Sequence, residues 1–305
     1  MDHERGAGVT TASPAVTDVA TARPYRAIDF RIQPPFRWTD DEPEVDGLNG
    51  YKRVYGEGYK RGHSYQGLHA EMRRLGLRAV VHAEPTRGAA RDWNDRVRQT
   101  MDRDPERFPA GFCAVDPRDI MGSVREMERC YHELGLRGVA VVCDFYNIDL
   151  SDKRCYPFYS RAAQLGIPVA LHVGVNFTTS SPIRHGHPQF VDEIACHFPD
   201  LVLVCAHGGW PWPNEMIAVA WKHPNIYLEF GAVAPRYIAS GGGWDPMRQF
   251  MNSVLQDRIL FGSDWPMIAH ERALQEVALL DLKPLVLDKY LKGNAERLLE
   301  RMLVR

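Results

Sequence analysis

Hydrophobic and polar positions along the chain follow two alternating rhythms. Residues 28–33, Ile-Asp-Phe-Arg-Ile-Gln, alternate apolar and polar one by one, and Pro34-Pro35 ends the run at once. That rhythm predicts a first β-strand with a sharp exit. A period of two puts Asp29, Arg31 and Gln33 on the same side of it. Residues 36–63 follow neither rhythm, and a connection of that length predicts a functional loop or lid. From Ser64, an N-cap by type, helical spacing runs through Met72 to Leu75, and Gly76 stops it. Leu77–Ala83 is then a β-branched run that predicts a second strand.

The two rhythms keep exchanging places. Further strands are predicted at 108–115, 136–143, 167–173, 201–206, 226–230 and 258–262. Helices are predicted at 91–104, 119–134, 156–165, 187–197, 213–223, 246–255 and 271–282, with short ones near 285–290 and 294–303. The strands are short and continuously apolar, as in a parallel sheet buried on both faces. Eight strand–helix units in about 250 residues predict an α/β fold of the (β/α)8 barrel type. The expected organisation is one barrel domain over 25–305 after a tail at 1–24. That tail is rich in Ala, Thr, Pro and charge, lacks the apolar run of a secretory signal, and is predicted to be disordered.

Composition narrows the partners. The chain has 305 residues, 45% of them hydrophobic, enough for one large core. A net charge of −2 without a Lys/Arg run predicts no nucleic-acid partner. No stretch approaches the roughly 18 apolar residues of a membrane span. The six cysteines form no C-x-x-C pair and read as reduced core residues. The expectation is a cytoplasmic protein acting on a small molecule.

A barrel of this type carries its active site at the C-terminal ends of the strands. Those ends offer Asp29, Arg31 and Gln33, then His82 and Glu84, Asp116, Asp144, His172, His207, Glu229 and Asp264. His172, His207 and Asp264 stand out. Each follows an apolar run and precedes Gly, Gly-Gly or Trp-Pro, which break the chain at the rim. A polar group there is costly without partners. Asp116, before Pro117, reads as a turn or cap. Asp144 and Glu229 read equally as structural or functional. His82 and Glu84 fit structure slightly better, although His82 stays among the candidate substrate contacts. Arg61 and His63, in the long loop, are further candidates. His185 and His187 have the spacing of a zinc pair but nothing else to complete one. Trp38, Trp210, Trp212 and Trp265 fall near the predicted rim and suit a flat ligand, and core packing explains them as well.

At these residues a resemblance becomes specific. The blocks are Glu-Arg-Phe-Pro-Ala-Gly-Phe-Cys-Ala-Val-Asp-Pro-Arg at 106–118, Leu-Gly-Ile-Pro-Val-Ala-Leu-His at 165–172 and Phe-Pro-Asp-Leu-Val-Leu-Val-Cys-Ala-His-Gly-Gly-Trp-Pro-Trp at 198–212. His-Pro-Asn-Ile-Tyr-Leu-Glu at 223–229, Leu-Phe-Gly-Ser-Asp-Trp-Pro at 260–266 and Gly-Asn-Ala-Glu-Arg-Leu-Leu at 293–299 follow in order. The chain resembles the amidohydrolase-related family that includes aminocarboxymuconate-semialdehyde decarboxylase and related aromatic-acid decarboxylases and hydrolases. The resemblance implies a divalent metal, usually zinc, held by a first-strand His-x-His pair, the strand-five histidine and the strand-eight aspartate. It implies a base at the strand-six histidine, and often a homodimer. His172 matches the strand-five ligand, His207 the base and Asp264 the strand-eight aspartate. Arg31 and Gln33 stand where the histidine pair would be.

That replacement decides the chemistry expected. A zinc site normally takes three protein ligands and a water, and only His172 and Asp264 remain to hold a metal. Arginine stays protonated and cannot ligate. The prediction is therefore a metal-independent or metal-poor site with no cofactor expected, and zinc or another divalent metal as the less supported alternative. Arg31 would take the electrostatic role of the metal on the substrate, Asp264 would act as a base, and His172 and His207 would move protons. Gln33, Arg61, His63, His82, Trp210 and Trp265 would bind the substrate. The leading expectation is a hydrolase of a small carboxylated or cyclic, lactone- or amide-like, substrate. The alternatives are a non-oxidative decarboxylase of an aromatic or unsaturated acid, with or without a divalent metal, and an inactive ligand-binding barrel.

Overall fold

Eight parallel strands are hydrogen-bonded in sequence order in the computed structural model, which describes residues 25–43, 64–83 and 89–304. Expectations on the 1–24 tail, on Glu84, Arg61 and His63, and on most of the long loop lie outside the described residues. The strands are β1 (Ala27–Ile32), β2 (Leu77–His82), β3 (Ala110–Ala114), β4 (Gly138–Val141), β5 (Val169–Leu171), β6 (Leu203–Cys205), β7 (Ile226–Glu229) and β8 (Ile259–Leu260). The ends of β8 and β1 meet through the backbone. Phe30 N–H donates to the Phe261 carbonyl at 2.8 Å, Asp264 N–H to Arg31 at 2.9 Å and Gln33 N–H to Trp265 at 2.8 Å. Helices between the strands complete the (β/α)8 barrel that the alternation predicts.

Several strands are shorter than their apolar runs, because rim residues leave the ladder to turn. The helix predicted at 271–282 is a helix over His270–Glu276 and a 3-10 turn over Val277–Leu280. The helix Pro235–Ala239 was not foreseen, since five residues are too few to show a period.

The core has two layers. Outside the strands, residues such as Val81, Val139 and Leu203 pack against the helices. Inside, Ile28, Phe30, Val80, Phe112, Val204, Tyr227 and Leu260 fill the barrel, with Ala110, Ala140 and Ala170 making room for the rings. The helix Asn294–Leu303 closes the N-terminal end. Its Ala295, Leu298, Leu299 and Met302 recur at helical spacing and join the inner layer.

Strict alternation fails at one place, β1. Its register shifts between Asp29 and Ile32. Phe30 belongs to the inner layer, so simple alternation would send both neighbours outward. Asp29 does face outward, to His270 on a surrounding helix. Arg31 instead reaches Glu229, which shares the inner face with Tyr227. The irregularity thus re-aims one side chain, as a bulge does. Asp29 and Arg31 are not on one side, as period two had placed them.

Candidate active site

The C-terminal ends of the strands surround a cavity of about 600 Å³. His172, His207 and Asp264 all line it, so the three rim residues singled out by sequence converge on one space. Aromatic walls flank them. Trp210 stacks on Trp244 with centroids 5.5 Å apart, and Phe145 meets His172 edge-on at 5.2 Å.

The backbone that presents these groups is strained. His207, Ala232 and Asp264 have φ of 64°, 60° and 53°, the left-handed region that non-glycine residues seldom occupy. Each such residue costs on the order of 1–3 kcal/mol and persists where surrounding structure enforces it. Gly208 and Gly209 continue the left-handed turn after His207, so the chain reverses at the end of β6 and leaves the imidazole facing inward.

His207 Nδ1 is 2.6 Å from the Gly231 carbonyl. A carbonyl only accepts, so Nδ1 carries the proton and Nε2 keeps a lone pair. Burial pushes its pKa well below the usual value, and the electrostatic influence of His172 and Arg31 pushes the same way. His207 is therefore a neutral base at neutral pH. Its ring meets His172 edge-on at 4.6 Å. His172 Nδ1 lies 2.9 Å from Asp144 Oδ2, but not in hydrogen-bond geometry, so the contact is electrostatic. Asp144 is buried and accepts from Asn176 Nδ2 at 2.8 Å, which fixes its carboxylate behind His172.

Beneath the cavity sits a buried ion pair. Arg31 Nε donates to Glu229 Oε2 at 2.9 Å, with the side chains 1% and 0% exposed. Burial raises the Glu229 pKa to about 7, against the pull of Arg31 and of the Gly231 N–H. Gly262 is needed here, because a Cβ would collide with the Glu229 carboxylate. Arg31 and Gln33 do not line the cavity. Gln33 Nε2 instead donates to Asp264 Oδ1 at 3.3 Å, orienting that carboxylate.

Other candidates fall elsewhere. His82 is fully buried and stacks flat on Phe112 at 4.2 Å. Burial, then Arg31, hold its pKa well below the usual value. His82 and Trp265, the latter 2% exposed, are packed into the protein and line no part of the cavity. Trp210 does line it. His185 pairs with Asp149 at 2.5 Å, and His187 caps a helix by accepting from Gln189 N–H. Asp29 is structural: it accepts the N–H groups of Arg31 and Ser263, both at 3.0 Å, and the Ser263 hydroxyl. Behind it His270 lies 3.0 Å away, with Glu71 on its other nitrogen. Burial would lower the His270 pKa, but the two carboxylates outweigh it and raise it to about 9.

Trp244, Asn176, Arg236, Tyr237 and Arg272 also line the cavity and were not anticipated. They come from connections after strands, where no period marks them. Gly241-Gly242-Gly243 before Trp244 was the available signal.

The donor set for a divalent ion is incomplete. His172 and Asp264 would supply two ligands, and the neighbouring first-strand position holds a guanidinium that repels a dication. Among the described residues, three metal-binding side chains approach closely only at Asp192, Cys196 and His223, on the outer helices. There the Lys222 ammonium already lies 2.7 Å from Asp192.

Comparison with known proteins agrees with the fold. Gamma-resorcylate decarboxylase of a Polaromonas species is 26% identical over 233 residues, 62% of this chain and 69% of that protein. An uncharacterized TIM-barrel protein of Bordetella bronchiseptica superposes with a TM-score of 0.74 at 27% identity, covering 90% of this chain and 99% of that one. The 5-carboxyvanillate decarboxylase of Novosphingobium aromaticivorans, solved with bound manganese, superposes at 0.63 and 15% identity over 90% of this chain and 97% of its own. Among the described residues no helix is long and apolar enough to cross a membrane. The amidohydrolase family model matches residues 28–301, and the chain belongs to that family.

Proposed function

We propose that the protein is a lyase, a non-oxidative decarboxylase of a small aromatic or unsaturated carboxylic acid, and that it works without a resident divalent metal. The observation that carries this reading is the meeting of a neutral His207 and the Asp264 carboxyl in one aromatic-walled cavity. The decarboxylases among the relatives favour it over the hydrolase expected from the sequence.

Decarboxylation of a hydroxylated ring acid needs a base and an acid. His207 Nε2 takes the proton of a ring hydroxyl, and the charge enriches the carbon that carries the carboxylate. Asp264, after taking a proton from solvent, delivers it to that carbon, and His207 later returns its proton to the ring oxygen. The carbon–carbon bond then breaks, CO2 leaves, and its electron pair restores the ring. Positioned acid–base groups of this kind contribute about 10²–10⁴-fold. Arg31 acts from beneath the floor as a fixed positive charge that favours the anionic intermediate. Arg31 is among the causes that lower the His207 pKa, after burial and His172, which supports this role.

The test is CO2 release from a panel of hydroxybenzoates and carboxylated hydroxybenzoates by protein treated with EDTA. Activity that survives chelation and falls in Asp264→Asn is expected. Hydrolysis of lactones or amides with no CO2 release would return the site to the hydrolases. Activity that appears only on adding manganese would remove the metal-free claim.

A further inference from the structure

Besides His172, His207 and Asp264, the charged side chains that the described residues bring to the cavity are cationic. Arg236, on the helix Pro235–Ala239, and Arg272, on the helix His270–Glu276, both line it. They share one carboxylate. Glu276 Oε1 accepts from Arg272 Nε at 2.8 Å and lies 3.8 Å from Arg236 Nε. Glu276 is 13% exposed, while the Arg272 and Arg236 side chains are 34% and 50% exposed. A further nitrogen of Arg236 donates only to the neutral Tyr237 hydroxyl, at 3.2 Å. Among the described residues Asp264 is the one acidic residue in the lining, and Gln33 already donates to it. Two guanidiniums facing one carboxylate leave a positive charge at this wall.

We propose that Arg236 and Arg272 form an anion subsite and that the substrate is a dicarboxylate, carrying a second carboxylate besides the one that leaves. This rests on the decarboxylase reading for the following reason. The departing carboxylate loses its charge as CO2 forms. A guanidinium on that group would stabilise the ground state more than the transition state and slow the reaction. Arginines in such a cavity therefore suit a group whose charge persists through the reaction. A planar carboxylate matches the fork of a guanidinium, and binding energy gained there holds the ring against His207 and Asp264.

The experiment measures binding of benzoate and of isophthalate, its 1,3-dicarboxylate counterpart, to the full chain by calorimetry. Isophthalate is expected to bind at least about tenfold tighter, equivalent to about 1.4 kcal/mol. The margin shrinks in high salt. It is lost in Arg272→Gln and Arg236→Gln. Glu276→Gln releases both arginines and should widen the margin, a change that loss of folding does not mimic. Equal affinities, a margin that survives both arginine variants, or a narrower margin in Glu276→Gln would each overturn the subsite. Neither probe must react. A dicarboxylate preference without CO2 release from any acid therefore refutes the decarboxylase reading alone, and CO2 release without the preference refutes the subsite alone.

Discussion

Glu229→Gln removes the charge from the buried pair and keeps its shape. Burial raises the Glu229 pKa from 4.5 to about 7 even though Arg31 lies 2.9 Å away. The desolvation cost of the carboxylate thus exceeds the attraction it gains, as is common for buried pairs. A carboxyl with a raised folded-state pKa contributes stability that is full below the unfolded value of 4.5 and is lost as pH rises through about 7. Between those values the unfolded state has released a proton that the folded state keeps, so stability falls by about 1.4 kcal/mol per pH unit. The full swing is about 3 kcal/mol. Glutamine does not titrate, so the difference between the two proteins isolates this group. Urea unfolding from pH 4 to 8.5 should show wild type losing about 3 kcal/mol against Glu229→Gln. At pH 8 the variant should be the equal of wild type or better. A flat difference, or one in which wild type gains as pH rises, would mean that Arg31 dominates and that the pair is a net stabiliser.

Further outcomes follow from other sites. His270, raised to about 9 by Asp29 and Glu71, contributes stability that is full below 6.5 and lost as pH rises through 9. The advantage of wild type over His270→Gln in the same unfolding assay should therefore shrink by about 3 kcal/mol across that window, and a constant advantage would refute the buried charge. Asp264→Asn should lower CO2 release at least about a hundredfold while circular dichroism and Tm stay near wild type, and a smaller loss would remove it as the acid. Leu298→Ala, in the helix that closes the barrel floor, should cost about 2–5 kcal/mol in urea unfolding, whereas a cost near zero would mean that this helix is not part of the inner core.

Much of the architecture is written in local patterns. Continuous apolar runs such as Val169–Leu171 mark strands buried on both faces, and helix starts such as Ser64 carry a side-chain cap that holds in the structure. His172, His207 and Asp264 were legible because polar residues interrupt those runs beside chain breakers. The register shift in β1 left no trace in the sequence, since it arises from pairing with other strands. It separates Asp29 from Arg31 and carries the arginine to Glu229, so a residue expected against the substrate lies beneath the cavity. His82 and Trp265 misled for a related reason. A position at a strand end does not say whether a side chain meets the cavity or the packing around it. Arg236 and Arg272 were hidden because they come from connections, where contacts across the fold decide what faces the ligand.

The closure of β1 against the strands that end the barrel, β7 and β8, ties together residues far apart in the sequence. Asp29 bonds to Ser263, 234 positions later, and Arg31 to Glu229, 198 positions later. A ribosome making this chain releases Arg31 long before its partners exist. Until β8 arrives, β1 is an open edge with unpaired N–H and C=O groups, and until β7 arrives the bulged arginine has no Glu229 carboxylate to meet. Closure is thus a late and non-local event, of the kind that slows folding and leaves intermediates open to aggregation. Truncations that remove β8 should therefore abolish the site and expose a sticky edge together, so that yield of soluble protein and formation of the catalytic cavity depend on the same late closure.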